Sequence, residues 1–222
     1  MSQELMNRIT KMLGPEVTTF DKRIEELTLS ENIVRTIILL RLSEGRTTYI
    51  RDLTPITQVI GGNLLAIMKR LSQQDLIHWD QQEGKITVAY PFSGVPTSYR
   101  VALSGKPFTY AMCAIDVLGI APMMKKDIEI ETQCAMCGRS LHISIRNQQP
   151  VSTPTTVGVG IQIPSKDRDC CSSLSASAVF CPGIQFYCSH EHWEQNKPKD
   201  GGKWLELPEA FEVARYVFGE TV

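Results

Sequence analysis

The first 112 residues of this chain contain no cysteine, and all seven cysteines of the sequence follow that point. The composition is otherwise ordinary: 42% of the 222 residues are hydrophobic, 21% are charged and the formal net charge is -1. A charge balance near zero gives no general attraction to nucleic acid or to an anionic membrane surface. The uneven distribution of thiols indicates that any thiol chemistry belongs to the C-terminal half.

The chain also lacks a long apolar run, since no stretch approaches the roughly 18 consecutive apolar residues of a membrane-spanning helix. Its first residues, MSQELMNRITKML, have Glu4 and other polar residues at helical spacing, and they lack the basic tip and apolar run of a secretory signal peptide. We therefore expect a cytoplasmic protein without a membrane partner. An odd number of cysteines in such a chain favours reduced thiols over a disulfide framework.

Several familiar catalytic motifs are missing. The sequence has no G-x-S-x-G, no phosphate-binding loop, no H-E-x-x-H and no dinucleotide-binding fingerprint. These absences argue against the corresponding hydrolase, nucleotide-binding and zinc-protease chemistries, and no cofactor is expected to be required. Function therefore has to be sought among the cysteines.

Residues 1–94 predict a helical unit that ends in a hairpin. The sequence T-L-S-E starting at Thr28 has the form of a capping box, which marks the start of a helix. Periodic apolar positions and turn residues predict the other elements: helices at residues 2–13, 48–58 and 63–74, and two strands around a Glu83-Gly84 turn. The last three of these four helices, followed by the hairpin, have the order that is typical of a winged-helix module.

Winged-helix modules often bind DNA, and the charge of this one argues against it. Residues 1–98 hold eleven Lys and Arg against eleven Asp and Glu, and the candidate recognition helix offers only Lys69 and Arg70 as cations. A protein that neutralises several phosphates needs more positive charge than this. We expect a packing domain and do not expect a DNA partner.

Residues 95–222 predict a mixed α/β domain with a small sheet, so the chain as a whole is assigned to the α+β class. The segment PFSGVPTS (91–98) predicts a linker or a crossing segment between the two domains. The predicted elements beyond it are a strand at 99–103, a buried helix at 109–120 ended by Pro122, a strand pair at 127–134 and 139–146, strands at 157–164 and 176–188, and two closing helices from His190 and Pro208.

The segment FTYAMCAIDVLGIAP is almost wholly apolar, and Asp116 is the one charged residue between Lys106 and Lys125. Cys113 and Asp116 are three residues apart, so in a helix both would project from one face. Cys113 alone could be a small core residue, but an ionised carboxylate in apolar surroundings needs a partner or a proton. Burial raises the pKa of a carboxyl group, which makes it a proton donor near neutral pH. We interpret the pair as functional.

The other thiols give weaker signals. Cys134 and Cys137 form a C-x2-C pair, a common zinc half-site, but the candidates for the other half do not make a second such pair. Structural zinc is therefore possible but not favoured. Cys181 ends an apolar run before Pro-Gly, where either a core residue or a functional one would fit. The candidates to complete the zinc site are Cys170, Cys171, Cys188, His190 and His192; of these, Cys170 and Cys171 lie in a polar stretch and are expected to be dispensable.

Taken together, the segments TYAMCAIDVLGIAP, CAMCG and SAVFCPGIQFYCSHEHWE resemble the alkylmercury (organomercurial) lyases. The resemblance rests on motifs between residues 95 and 218 and on architecture alone before that. Its most specific part is Y-A-x-C-A-x-D, which carries the first catalytic cysteine and the aspartate of the family and falls on Cys113 and Asp116. The second catalytic cysteine of the family falls on Cys181, and a structural cysteine falls on Cys134. Where some members have a further vicinal cysteine, this chain has Pro182.

The resemblance implies cleavage of a carbon–mercury bond by protonolysis, with Cys113, Cys181 and Asp116 as catalytic residues and mercury ligands. The products would be a hydrocarbon and a Hg(II) ion held by two thiolates, which cellular thiols or a mercuric reductase would accept. The chemistry suits the residues, because soft metals prefer thiolates to oxygen or nitrogen ligands. Such a protein would serve mercury detoxification and resistance.

Two other functions are compatible with the sequence. A metal-responsive winged-helix regulator would use the same cysteines to sense a metal, although it gives Asp116 no role. A non-catalytic thiol-based metal-binding protein would keep the fold without the cleavage step, although it does not need an intact Cys-x-x-Asp.

Overall fold

The computed structural model describes residues 20–162, 176–199 and 201–219. The predicted helix at residues 2–13 lies outside these ranges, as do Cys170, Cys171 and the end of the predicted strand at 157–164. The described α-helices are α1 (Phe20–Glu25), α2 (Leu29–Ser43), α3 (Thr54–Ile60), α4 (Leu64–Gln73), α5 (Ala114–Met124), α6 (Ala176–Val179), α7 (His190–Asn196) and α8 (Leu207–Phe218). Short 3-10 helices cover Ile50–Leu53 and Cys181–Gly183.

Within the described residues the strands form two antiparallel sheets, with the order β1-β2-β3-β5-β4-β6-β7-β8 in the larger and β10-β9-β11 in the smaller. The larger sheet has eight strands, so the prediction of a small sheet is wrong, while the α+β class is confirmed. The strands are β1 (Ile77–Trp79), β2 (Ile86–Ala89), β3 (Phe92–Ser93), β4 (Arg100–Leu103), β5 (Phe108–Ala111), β6 (Ile128–Gln133), β7 (Ser140–Arg146), β8 (Gln149–Thr153), β9 (Gly158–Ile161), β10 (Ile184–Tyr187) and β11 (Lys203–Glu206).

The predicted helix start at Thr28 is confirmed by a complete capping box. The Thr28 hydroxyl accepts a hydrogen bond from the Glu31 N–H, and the Glu31 carboxylate accepts one from the Thr28 N–H. These two bonds satisfy two of the backbone donors that every helix start leaves unpaired. The predicted hairpin also forms, since β1 and β2 pair around the turn that contains Gly84.

Residues 91–98, predicted as a linker or a crossing segment, contribute a strand to the larger sheet, and the sequence did not indicate that strand. Phe92 and Ser93 form β3, which pairs with β2 on one side and with β5 on the other. The larger sheet is therefore continuous from the hairpin into the C-terminal half. The domain boundary after residue 94 stays a prediction.

Helix α5 is buried over almost its whole length. Its residues from Ala114 to Met123 are all buried, and it packs against α8. Gly119 allows this close approach, because a Cβ atom at that position would collide with the ring of Phe218. The helix runs through Pro122 to Met124, so the prediction that Pro122 ends it is wrong by two residues.

Two predicted elements of the C-terminal half differ from the structure. The segment predicted as one helix at 109–120 is a strand, β5, followed by α5, and the segment predicted as one strand at 176–188 is α6, a 3-10 helix and β10. Short apolar runs fit either kind of element, because a segment buried on all sides has no polar face to reveal its period. Each correction places a cysteine at a junction between two elements. Among the described residues, no helix combines the length and apolar character needed to cross a membrane.

Candidate active site

Cys113 lies at the junction of β5 and α5, where the chain turns from extended to helical. Its backbone is extended, with φ -150° and ψ -178°, and its sulfur accepts a hydrogen bond from the Asp116 N–H at 3.4 Å. Cys113 is therefore the N-cap of α5. The sequence predicted that it lies within the helix, and that prediction is wrong. The cap geometry still places Cys113 and Asp116 side by side.

Cys181 begins the 3-10 helix that connects α6 to β10. Its thiol donates a hydrogen bond to Oδ2 of Asp116 at 3.4 Å, across 65 positions of the sequence. Cys113, Asp116 and Cys181 thus meet, with one ligand atom from each lying within 4.8 Å of the other two. Their relative exposures are 2%, 5% and 6%, so the group is almost sealed from water.

Residues that the sequence reading did not single out hold the segment around Cys181 in place. Asp75 and Tyr90 accept hydrogen bonds from the N–H groups of Ala176 and Ser177, at 2.9 and 2.5 Å. On the other side of Cys181, the Tyr99 hydroxyl donates to the Ile184 carbonyl at 3.2 Å. These contacts fix the backbone both before and after the thiol. No local pattern in the sequence indicates them, because each joins positions more than 80 residues apart.

Burial dominates the electrostatics of this group. It raises the pKa of Asp116 from 3.8 to about 7, although hydrogen bonds involving Cys113 and Cys181 partly oppose the shift. Burial also raises the pKa of the Cys113 thiol well above its ordinary value, and its hydrogen bond to Cys181 and the charge of Asp116 add to the rise. Near neutral pH the raised pKa values favour protonated thiols at Cys113 and Cys181. The Asp116 carboxyl group between them can accept or donate a proton in the same pH range.

The raised pKa of Asp116 predicts a pH-dependent cost in stability. Between pH 3.8 and about 7 the folded protein holds a proton that the unfolded chain has released, so stability falls as the pH rises. The Asp116→Asn variant lacks this titration, and relative to the wild type its free energy of unfolding should rise by about 3 kcal/mol between pH 5 and pH 8. Urea unfolding of both proteins at the two pH values measures the change.

A variant without an ionisable group provides the control. Ile143 is fully buried in β7, and Ile143→Val should cost about 1 kcal/mol equally at both pH values. If the free energy of unfolding of Asp116→Asn differs from that of the wild type by the same amount at pH 5 and pH 8, the Asp116 carboxyl does not have a raised pKa in the folded protein.

Two buried thiols lie together beside a protonatable carboxyl group, and thiolates are the ligands that soft metal ions prefer. The fold of this chain is similar to that of a solved structure, the mercury-bound form of MerB2. The two superpose with a TM-score of 0.73 at 21% sequence identity, over 93% of this chain and 98% of that one. That likeness describes the fold alone.

The sequence comparisons define the family. The family model described as alkylmercury lyase matches residues 92–219, more than half of the chain. An alkylmercury lyase of Bacillus cereus is 29% identical over 182 residues, which cover 80% of this chain and 77% of that protein. One of Staphylococcus epidermidis is 25% identical over 184 residues, covering 81% and 79%. The chain belongs to the alkylmercury lyase family.

Proposed function

We propose that this protein is an organomercurial lyase in which Cys113 and Cys181 bind mercury and Asp116 transfers the proton that releases the hydrocarbon. The proposal is carried by one observation: the Cys181 thiol donates its hydrogen bond to Asp116, next to the sulfur of Cys113. Family membership supports the reaction, and this geometry supports the roles.

In the proposed reaction every proton has a source and a destination among these three groups and the substrate. A substrate R–Hg–X exchanges its ligand X for one cysteine, and the proton of that thiol leaves with X as X–H. The second thiol gives its proton to the Asp116 carboxylate as its sulfur bonds to mercury. Asp116 then protonates the carbon bonded to mercury, so the carbon–mercury bond breaks and R–H leaves. Hg(II) remains bound to two thiolates, and the carboxylate is regenerated.

The pKa of Asp116 suits this double duty. A carboxyl group with its ordinary pKa would accept a thiol proton poorly and would be ionised at neutral pH, when the carbon needs a proton. With a pKa of about 7, the same group can accept the proton and return it within one turnover. Exclusion of water also strengthens the interaction between the thiolates and mercury.

The wider setting follows from the same proposal. The protein would act in the cytoplasm in mercury detoxification and resistance, with no resident cofactor in the reaction, and it would pass Hg(II) to cellular thiols or to a mercuric reductase. The first 94 residues would form a winged-helix-like domain that packs against the catalytic domain. Asp75 and Tyr90 support a packing role, because both hold the segment around Cys181.

Headspace gas chromatography tests the reaction directly. Purified protein incubated with phenylmercury and excess thiol should release one benzene for each phenylmercury consumed, beyond the background without protein. Stoichiometric mercury binding without benzene would contradict the proposal and favour a sensor or carrier. Methylmercury and methane give a second test with a smaller organic group.

A further inference from the structure

A second group of metal-ligating side chains lies outside the proposed mercury site. It consists of Cys134, Cys137, Cys188 and His192, whose ligand atoms all lie within 4.8 Å of one another. The mechanism above uses none of these four residues. Cys134 and Cys137 come from the turn between β6 and β7, Cys188 follows β10, and His192 lies in the first turn of α7.

The distances between these atoms match a tetrahedral zinc centre. With Zn–S bonds of about 2.3 Å and Zn–N bonds of about 2.0 Å, two sulfurs lie about 3.8 Å apart, and a sulfur and a nitrogen about 3.5 Å apart. The sulfurs of Cys137 and Cys188 are 4.0 Å apart. Nδ1 of His192 lies 3.6 Å from the Cys134 sulfur and 3.1 Å from the Cys188 sulfur.

The backbone around the group is built to hold it. Gly138 closes the C-x2-C turn with φ +70°, a conformation that favours glycine, and its N–H donates to the Cys134 carbonyl at 2.9 Å. The Ala135 N–H donates to the Phe186 carbonyl at 2.9 Å, which ties this turn to β10. Ser189 caps α7 by accepting from the His192 N–H, so the helix start sets the position of the imidazole.

The sulfur of Cys134 is buried but has polar groups around it. Backbone N–H groups of Cys137 and Cys188 are directed at this sulfur, and Nδ1 of His192 lies 3.6 Å from it. Zinc binds cysteine as the thiolate, and N–H groups directed at a ligating sulfur hold that ligand in place once the metal is bound.

We propose that Cys134, Cys137, Cys188 and His192 bind one structural zinc ion. A Cys₃His set with four protein ligands is a closed site, as in structural zinc centres, and it leaves no position open for a substrate. The site goes beyond the lyase reaction, because zinc at this position would stabilise the fold and take no part in the chemistry at Asp116. The spacing is C-x2-C, then 50 intervening residues, then C-x3-H, and the structure brings to the C-x2-C turn two of the five residues that the sequence offers as candidates.

Metal analysis of the reduced protein tests the proposal. Wild-type protein from zinc-supplied cells, purified with a thiol reductant and no chelator, should contain about one zinc ion per chain. Replacing zinc by Co²⁺ should give the visible absorption of tetrahedral cobalt with a thiolate charge-transfer band. Adding a strong chelator should lower the thermal unfolding temperature, because a structural zinc ion contributes to folding.

Variants separate this site from the mercury site. Cys137 is exposed, so the Cys137→Ser variant should fold. Its zinc affinity, measured against a competing chelator, should fall by more than about 10-fold. Mutation of a residue that only supports a metal ligand already lowers metal affinity by about that factor, and loss of a ligand should lower it further. Cys113→Ser changes a buried thiol outside the group and should keep its zinc. Circular dichroism checks that each variant is folded.

Three results would overturn the proposal. One is reduced, folded wild-type protein that neither contains zinc nor develops the cobalt spectrum. Another is zinc retained equally by Cys137→Ser and the wild type, because the metal would then be bound elsewhere. The third is a disulfide between two of these cysteines in protein handled under reducing conditions, seen as a mass lower by two hydrogens. None of these results depends on hydrocarbon release, so they leave the lyase proposal untouched.

Discussion

Replacing Asp116 by asparagine should leave a protein that binds organomercurials but releases hydrocarbon about 10²- to 10⁴-fold more slowly, the usual contribution of a general acid. The amide keeps the shape of the carboxyl group and cannot transfer a proton from the Cys181 thiol to carbon. Both thiols remain, so mercury should still bind. Single-turnover release of benzene from phenylmercury, with mercury content measured in the same sample, separates the two steps.

A surface carboxylate supplies the matched control. Glu129 is exposed on β6, and Glu129→Gln should release benzene at the wild-type rate. Asp116→Asn should also be the more stable protein at pH 8, since it lacks a buried group that must ionise. Loss of rate with a gain in stability is typical of a functional residue held at a cost to the fold. If Asp116→Asn retains wild-type turnover, the proton comes from another donor and the role of Asp116 is wrong.

Replacing either Cys113 or Cys181 by serine should abolish hydrocarbon release. An alcohol oxygen is a hard ligand and binds a soft metal far more weakly than a thiolate does, so mercury would keep one protein sulfur where the reaction needs two. In excess small thiol, Cys113→Ser and Cys181→Ser should each retain one mercury fewer per chain than the wild type. Intact-protein mass spectrometry and benzene release measure the two effects.

A cysteine that the sequence predicts to be dispensable tests the specificity of this result. Cys171→Ser should match the wild type in both mercury retention and turnover. Should Cys181→Ser release benzene at the wild-type rate, a single thiol would suffice and the two-thiolate product would be excluded. An equal loss in Cys171→Ser would mean that thiol number, and not the pair described here, determines activity.

Local signals in the sequence predicted the parts of the fold that local physics determines. The T-L-S-E pattern located the start of α2 because the capping bonds form between residues three positions apart. The alternation on either side of the C-x2-C turn located β6 and β7, since one face of each strand is buried and the other exposed. The isolated Asp116 indicated a buried acid for a comparable reason, because its neighbours in the chain are all apolar.

The parts of the two sites that the sequence did not locate depend on contacts between residues far apart in the chain. Nothing near Cys181 indicates that it lies against Asp116, and only the family resemblance paired the two. The sequence offers five candidates to complete the C-x2-C turn, and it does not indicate that Cys188 and His192 are the two that lie beside the turn, since these residues lie 51 and 58 positions from their partners in it. A second C-x2-C pair is absent, and the chain instead supplies a cysteine just before the N-cap of α7 and a histidine four positions later in its first turn.

Strand β10 is four residues long, and each of its two ends leads to a different group of cysteines. The backbone that presents Cys181 enters it, and the backbone that presents Cys188 leaves it, while the turn holding Cys134 and Cys137 is bonded to its side through Phe186. A metal ion fixed at one end would act as an anchor against which the reactive thiol at the other end is aligned. The same short strand connects the chain at Cys181 to the chain at Cys188, so Hg(II) that stays on the protein would have a second set of thiols to bind, and a metal ion there would face a competitor with a stronger preference for sulfur.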